Sequence, residues 1–185
     1  IYVYGPQGCG KTTFVQEVLK HANYDCIRYD SGEMRTKGII ETLTVSNMSD
    51  YSIVSMFSKE PRKKIAIVMD DIEGMNIGDK GCIQALIKLV RPKKTKKQKT
   101  EMSTHVPIIC IGSLAIDKKL KELMKCSLCL QLKMPTSSHI ASLIQMPLSL
   151  QTPLVDYIDG DLKRWSVVSS IKNKIELTPE IVDLF

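Results

Sequence analysis

The sequence predicts an α/β fold in which a mostly parallel sheet is flanked by helices and followed by a small helical domain. Three observations point there. Short apolar runs alternate with amphipathic segments through the first 134 residues, the βαβ succession of a parallel sheet. The run IAIVMD (65–70) is apolar until its last residue, as a strand covered on both faces must be. From Pro135 onward the strand-like runs stop and helix-like segments remain, so the expected boundaries are 1–134 for the α/β domain and 135–185 for the helical one.

Each element has its own signal. IYVY (1–4) is a short apolar strand that runs into the glycine-rich stretch GPQGCGKT, and KTTFVQEVLKHA (11–22) places Phe14, Val15, Val18 and Leu19 at helical spacing. YDCIRYD (24–30) suggests a second strand and GIIETL (38–43) a second helix. After the strand at 65–70, CIQALIKLV (82–90) has helical spacing through Ile83, Leu86, Ile87 and Val90. VPIICIG (106–112) is a further buried strand, KKLKELM (118–124) a short helix and SLCLQL (127–132) the last strand. In the second domain HIASLIQM, DLKRWSVVSSI and TPEIVDLF are expected helices.

Composition narrows the setting. No apolar run approaches the roughly 20 residues of a membrane span, so no membrane association is expected. The chain opens on IYVYG without Met or a leader-like segment and reads as a piece of something longer, lacking an N-terminal segment of its first domain. Six cysteines without regular spacing predict thiols in a reducing, intracellular compartment, and Cys126 and Cys129 are expected as buried strand thiols because no second Cys/His pair completes a zinc site. The net charge of +6 matches six cations in the loop RPKKTKKQK, namely Arg91, Lys93, Lys94, Lys96, Lys97 and Lys99. Such a run is either a solvated loop or an electrostatic contact for a nucleic-acid backbone.

GPQGCGKT fits the phosphate-binding template G-x-x-x-x-G-K-[ST] at every position. Gly5, Gly8 and Gly10 let the backbone wrap so that successive N–H groups point at phosphate oxygens, and the following helix adds its positive end. The expected nucleotide-binding segment comprises Gly5, Pro6, Gln7, Gly8, Cys9, Gly10, Lys11, Thr12 and Thr13, with Lys11 on the β and γ phosphates and the Thr12 hydroxyl on Mg²⁺. Asp70 ends the apolar strand at the carboxyl edge of the sheet, where a carboxylate can hold Mg²⁺ through water. A nucleoside triphosphate and Mg²⁺ are therefore the expected ligands, and the resemblance described next implies ATP as the triphosphate.

The order GPQGCGKTT, YDSGEMRTKG, IVMDDIEGM, GCIQALIKLV, PIICIGS and GDLKRW resembles the AAA+ ATPases of sliding-clamp loaders, and within them the large subunit of replication factor C. The resemblance implies a ring-forming subunit that acts with other AAA+ subunits to place a sliding clamp on primer-template DNA, in the nucleus or another site of DNA replication. It implies that Asp71 holds the water-activating position, usually a Glu, and that Ser113 is the polar sensor of the γ-phosphate. Lys163 falls on the lid position that usually carries a phosphate-touching Arg, with Arg164 one step later. Where small clamp-loader subunits carry Ser-Arg-Cys, this chain has Lys125, Cys126 and Ser127, with no evident arginine finger. The resemblance also implies that Ile53, Met56 and Phe57 form a hydrophobic plug for the clamp, the alternative being helix core, and that Lys80 and Gln84 face DNA.

Asp71 is one methylene shorter than Glu, and general-base assistance typically contributes about 10²–10⁴-fold. The expectation is an ATP-binding chain with weak hydrolysis. Alternatives are an AAA+ replication initiator, a P-loop small-molecule kinase, which DDIEGM does not suit, and a scaffold subunit that holds nucleotide without catalysis.

Overall fold

Among the described residues five parallel strands form one sheet in the order β2-β3-β4-β1-β5, numbered along the chain. The computed structural model describes residues 1–30, 63–74, 82–91, 106–114, 117–144 and 147–172. The strands are β1 (Tyr2–Tyr4), β2 (Tyr24–Tyr29), β3 (Lys64–Met69), β4 (Ile108–Gly112) and β5 (Cys129–Gln131). The helices are α1 (Lys11–His21), α2 (Cys82–Val90), α3 (Lys118–Lys125), α4 (Ser137–Leu143), α5 (Leu148–Ile158) and α6 (Leu162–Lys172). Among the described residues no helix is long and apolar enough to cross a membrane. The segments GIIETL and TPEIVDLF lie outside the described residues.

The described residues group into two compact units. One takes Ile1–Tyr4 and the described part of Thr12–Gln131; the other takes Gly5–Lys11 and the described part of Leu132–Phe185. The sheet belongs to the first. Because side chains alternate across a strand, Tyr2, Ile67, Met69 and Cys110 enter one core layer with Ile83 and Leu86 of α2 and Leu120 and Leu123 of α3. Val3, Val68, Ile109 and Ile111 are buried on the opposite face. Helix α1 buries Val15 and Leu19, whereas Phe14 and Val18, half of the expected apolar stripe, are exposed.

The parallel arrangement brings the carboxyl ends of β3 and β4 to one edge. Asp70 follows β3 and Ser113 follows β4 there, and Tyr4, the last residue of β1, pairs with Gly112. Gly112 sits where two side chains come close to the backbone. A Cβ there would collide with Tyr2 Oη and fall 2.8 Å from Glu73 Oε1. The Tyr2 side chain is fully buried, and among the described residues its hydroxyl has no hydrogen-bond partner. Burial first, and then the Glu73 carboxylate, raise its pKa. The Cys110 thiol on the same layer is pushed up to about 12 by burial, so it stays a neutral thiol.

Cys126 caps α3 and Cys129 lies on β5, both only half-buried, so neither is the fully buried strand thiol expected from CSLCLQL. The Cys129 thiol donates to the Met124 carbonyl at 3.4 Å.

The second unit has its own apolar core of Ile140 and Ile144, Leu154 and Ile158 of α5, and Val168 of α6. Thr136 caps α4 by accepting from the His139 N–H. Helix α5 was not expected from the sequence. Pro153 lies inside it and removes the N–H that would bond the Ser149 carbonyl. Burial of Leu154 and Ile158 one turn apart holds the helix regardless. It ends sharply, with Asp159 and Gly160 both at positive φ (43° and 79°), which turns the chain into α6.

Replacing Gly112 by Ala should destabilise the fold by about 1–3 kcal/mol, because Tyr2 and Glu73 must both yield. Urea unfolding of Gly112→Ala against wild type measures this; an unchanged midpoint would show that the strand end has room.

Candidate functional site

The glycine-rich loop adopts the conformation its composition allows. Gly8 and Gly10 have φ of 83° and 82°, values that L side chains rarely adopt. Gly5 is buried, and a Cβ there would collide with the Leu132 carbonyl and sit 3.1 Å from Cys9 Sγ. The Lys11 ammonium donates to the Gly5 and Pro6 carbonyls at 3.0 and 2.7 Å, folding the side chain back over the loop. Cys9 is buried, while Gln7 and Thr13 are exposed. Lys11 and Thr12 are the first two residues of α1, so the free N–H groups of a helix start lie in this stretch.

The segment before α6 packs on the same loop. The Leu162 N–H donates to the Gly8 carbonyl at 2.9 Å, and a Cβ on Gly8 would fall 2.5 Å from Asp161 Oδ1. Asp161 also caps α6, its Oδ1 accepting from the Lys163 N–H at 2.8 Å. Sequence reasoning did not single out Asp161, although an Asp before an amphipathic run is an N-cap signal. Lys163 has an exposed side chain. The Arg164 guanidinium donates to the Tyr157 carbonyl at 2.7 Å and lies 5.5 Å from the centre of the Tyr157 ring.

In the first unit the decisive group is Asp70. The residue is buried at the end of β3, and both carboxylate oxygens are engaged. Oδ2 accepts from the Thr12 hydroxyl at 3.0 Å and lies 2.7 Å from an Arg28 guanidinium nitrogen; Oδ1 accepts from the Asp71 N–H at 3.1 Å. Asp70 and Thr12, expected as the metal pair, are thus brought together. Their donors are a hydroxyl and a carboxylate, the hard oxygens Mg²⁺ prefers when substrate phosphates supply the rest of its shell. No cluster of three or more His, Cys, Asp or Glu among the described residues could hold a metal ion by itself.

Asp71 is exposed and has φ of 53°. Asp70 donates its N–H to Tyr29 of β2, Ile72 donates its own to Ile111 of β4, and Gly74 donates to the Asp71 carbonyl. The chain therefore leaves the sheet at Asp71 in a left-handed turn, which Asp and Asn tolerate better than other non-glycine residues. Ser113 is half-buried, and its backbone N–H donates to Glu73 Oε1, which fixes the first residue after β4. Ile53, Met56, Phe57 and Lys80, together with the basic run from Lys93 to Lys99, lie outside the described residues; Gln84 is exposed on α2.

Comparison with protein families matches residues 1–132 to the ATPase family associated with various cellular activities (AAA). The chain belongs to that family. It is similar to replication factor C subunit 1 of Schizosaccharomyces pombe, 24% identical over 150 residues, and of Saccharomyces cerevisiae, 25% over 146. It is also similar to the replication factor C large subunit of Pyrobaculum calidifontis, 23% identical over 146 residues. These alignments cover 78%, 76% and 78% of this chain but only 15%, 16% and 31% of the relatives. This chain thus spans only about a sixth to a third of the length of these replication factor C relatives.

Gly8→Ala should lower stability by more than about 1 kcal/mol, since the left-handed backbone alone costs about 1–2 kcal/mol for an L residue. Adding Asp161→Ala removes the collision but not the backbone strain, so a double-mutant cycle in denaturant unfolding should show partial recovery. Strict additivity would mean that Gly8 and Asp161 do not meet.

Proposed function

We propose that this chain is the ATP-binding part of a clamp-loader large subunit, acting in a ring with other AAA+ subunits to place a sliding clamp on primer-template DNA. The observation that carries the reading is a glycine loop with two positive φ angles leading into a helix whose second residue, Thr12, is hydrogen-bonded to the strand-end carboxylate Asp70. Similarity to replication factor C large subunits supports the clamp-loading role and a place at sites of DNA replication, the nucleus in a eukaryote. Ile53, Met56 and Phe57 are the proposed clamp contact.

In this reading the backbone N–H groups of the loop bind phosphate oxygens and Lys11 exchanges its two carbonyl acceptors for them. Thr12 and Asp70 would hold Mg²⁺, which neutralises phosphate charge when bound. Ser113, its backbone held by Glu73, and Lys163 are the proposed contacts to the terminal phosphate, with Arg164 beside it on α6.

Asp71 is the proposed base that orients the attacking water. Its carboxylate is a methylene short and its backbone is left-handed, so slow turnover, with nucleotide mostly held, is favoured over rapid hydrolysis. A misplacement of roughly 1 Å can cost about 10²-fold. An arginine from a neighbouring subunit would add about 10³–10⁵-fold.

Lys11→Ala should abolish Mg·ATP binding in calorimetric titration while leaving the fold intact; undiminished affinity would remove the site. Asp71→Glu should raise ATP turnover within an assembled ring while lowering stability by about 1 kcal/mol, because Glu tolerates the left-handed turn less well. Asp71→Asn should lower turnover only slightly. A collapse of turnover in Asp71→Asn would identify Asp71 as a competent base and the chain as an efficient ATPase.

A further inference from the structure

Arg28 lies outside every recognised motif, yet it makes the shortest contact to Asp70. Its position follows from the sheet. On the parallel ladder Arg28 is the partner of Val68, and Asp70 lies two residues further along the same chain. Partner residues share a face and side chains alternate, so Arg28 and Asp70 lie on the same face as diagonal neighbours, within reach of a long side chain.

We propose that Arg28 competes with the divalent cation for Asp70, so that metal binds at this carboxylate only as the guanidinium leaves it. A carboxylate oxygen offers about two lone-pair sites. At Oδ2 one is taken by the Thr12 hydroxyl at 3.0 Å and the other by Arg28 at 2.7 Å, while Oδ1 is held by the Asp71 N–H. A divalent cation approaching Oδ2 meets occupied lone pairs and a like charge.

The two partners differ in freedom. The Asp70 side chain is 11% exposed and sits between neighbouring strands, whereas the Arg28 side chain is 44% exposed on the edge strand β2. Arg28 is therefore the group that moves. In the metal-free chain it supplies the positive charge that a nearly buried carboxylate needs, and it also offsets the repulsion between that carboxylate and incoming phosphates. Arg28 thereby weakens the dependence of nucleotide binding on metal.

The inference rests on the reading of this site as an ATP site, and one experiment separates the two. Binding of a fluorescent ATP analogue is measured by anisotropy in EDTA and in excess Mg²⁺ for wild type, Arg28→Gln and Lys11→Ala, with thermal melting as a check on folding. Removing Arg28 leaves the carboxylate unpaired without metal and uncontested with it. The ratio of Kd in EDTA to Kd in Mg²⁺ should therefore rise about tenfold in Arg28→Gln, the scale of losing one charge-assisted contact. An unchanged ratio, with wild type binding and Lys11→Ala not binding, would overturn the role of Arg28 and leave the ATP site standing. No binding by wild type in either buffer, or undiminished binding by Lys11→Ala, would overturn both. If Arg28→Gln does not fold, Arg28→Lys decides, because an ammonium lacks the planar fork and competes less well. Its ratio should rise about two- to fivefold, and a ratio equal to wild type would overturn the proposal.

Discussion

A nearly buried carboxylate with both oxygens engaged, Asp70 is where β2, the end of β3 and the first turn of α1 meet. An ionised group with so little access to water persists only if charge and hydrogen bonds replace its hydration. Here β2 contributes the Arg28 cation, the first turn of α1 the Thr12 hydroxyl, and the chain's own turn the Asp71 N–H. Each of these partners is held in turn by the parallel ladder or by the start of a helix. Weakening the carboxylate would therefore remove a tie shared by β2, the first turn of α1 and the turn after β3.

The turn that follows Asp70 links stability to chemistry. Because Asp70 donates to Tyr29 of β2 and Ile72 to Ile111 of β4, the residue between them must reverse the backbone, and it does so at positive φ. Asp is suited to that conformation by its short polar side chain. The same shortness withdraws the carboxylate from where a longer acid would reach. The Asp at this position thus has a backbone reason of its own, beside the role proposed for its carboxylate.

The glycine loop shows a related economy. Gly8 is required twice, by its positive φ and by the approach of Asp161, and its carbonyl accepts the Leu162 N–H. The carboxylate that caps α6 thus lies against the loop expected to receive phosphate. Lys163, expected on the lid position, is the second residue of that helix, and its N–H is the group this carboxylate accepts from.

Local chemistry was enough to read much of this molecule. The β-branched runs of β3 and β4, the glycine loop, the helix that begins at Lys11 and the acid ending β3 are legible because each depends on residues adjacent in sequence. Helix α5 was not, since Pro153 breaks the local helix signal and only the burial of Leu154 and Ile158 in a shared core restores it. Phe14 and Val18 fit the period of a buried stripe, yet only Val15 and Leu19 are buried, because periodicity defines a face but not how wide a neighbour lies on it. The pairing of Arg28 with Asp70 lay wholly beyond the sequence. YDCIRYD shows a strand with a cation in it, but which strand it joins, and in what register, is decided by tertiary packing, and a shift of one residue would turn Arg28 to the other face. The sequence by itself determined that a glycine loop fitting the phosphate-binding template and an acid at the end of an apolar strand exist; the ladder between β2 and β3 decided that this acid pairs with an arginine.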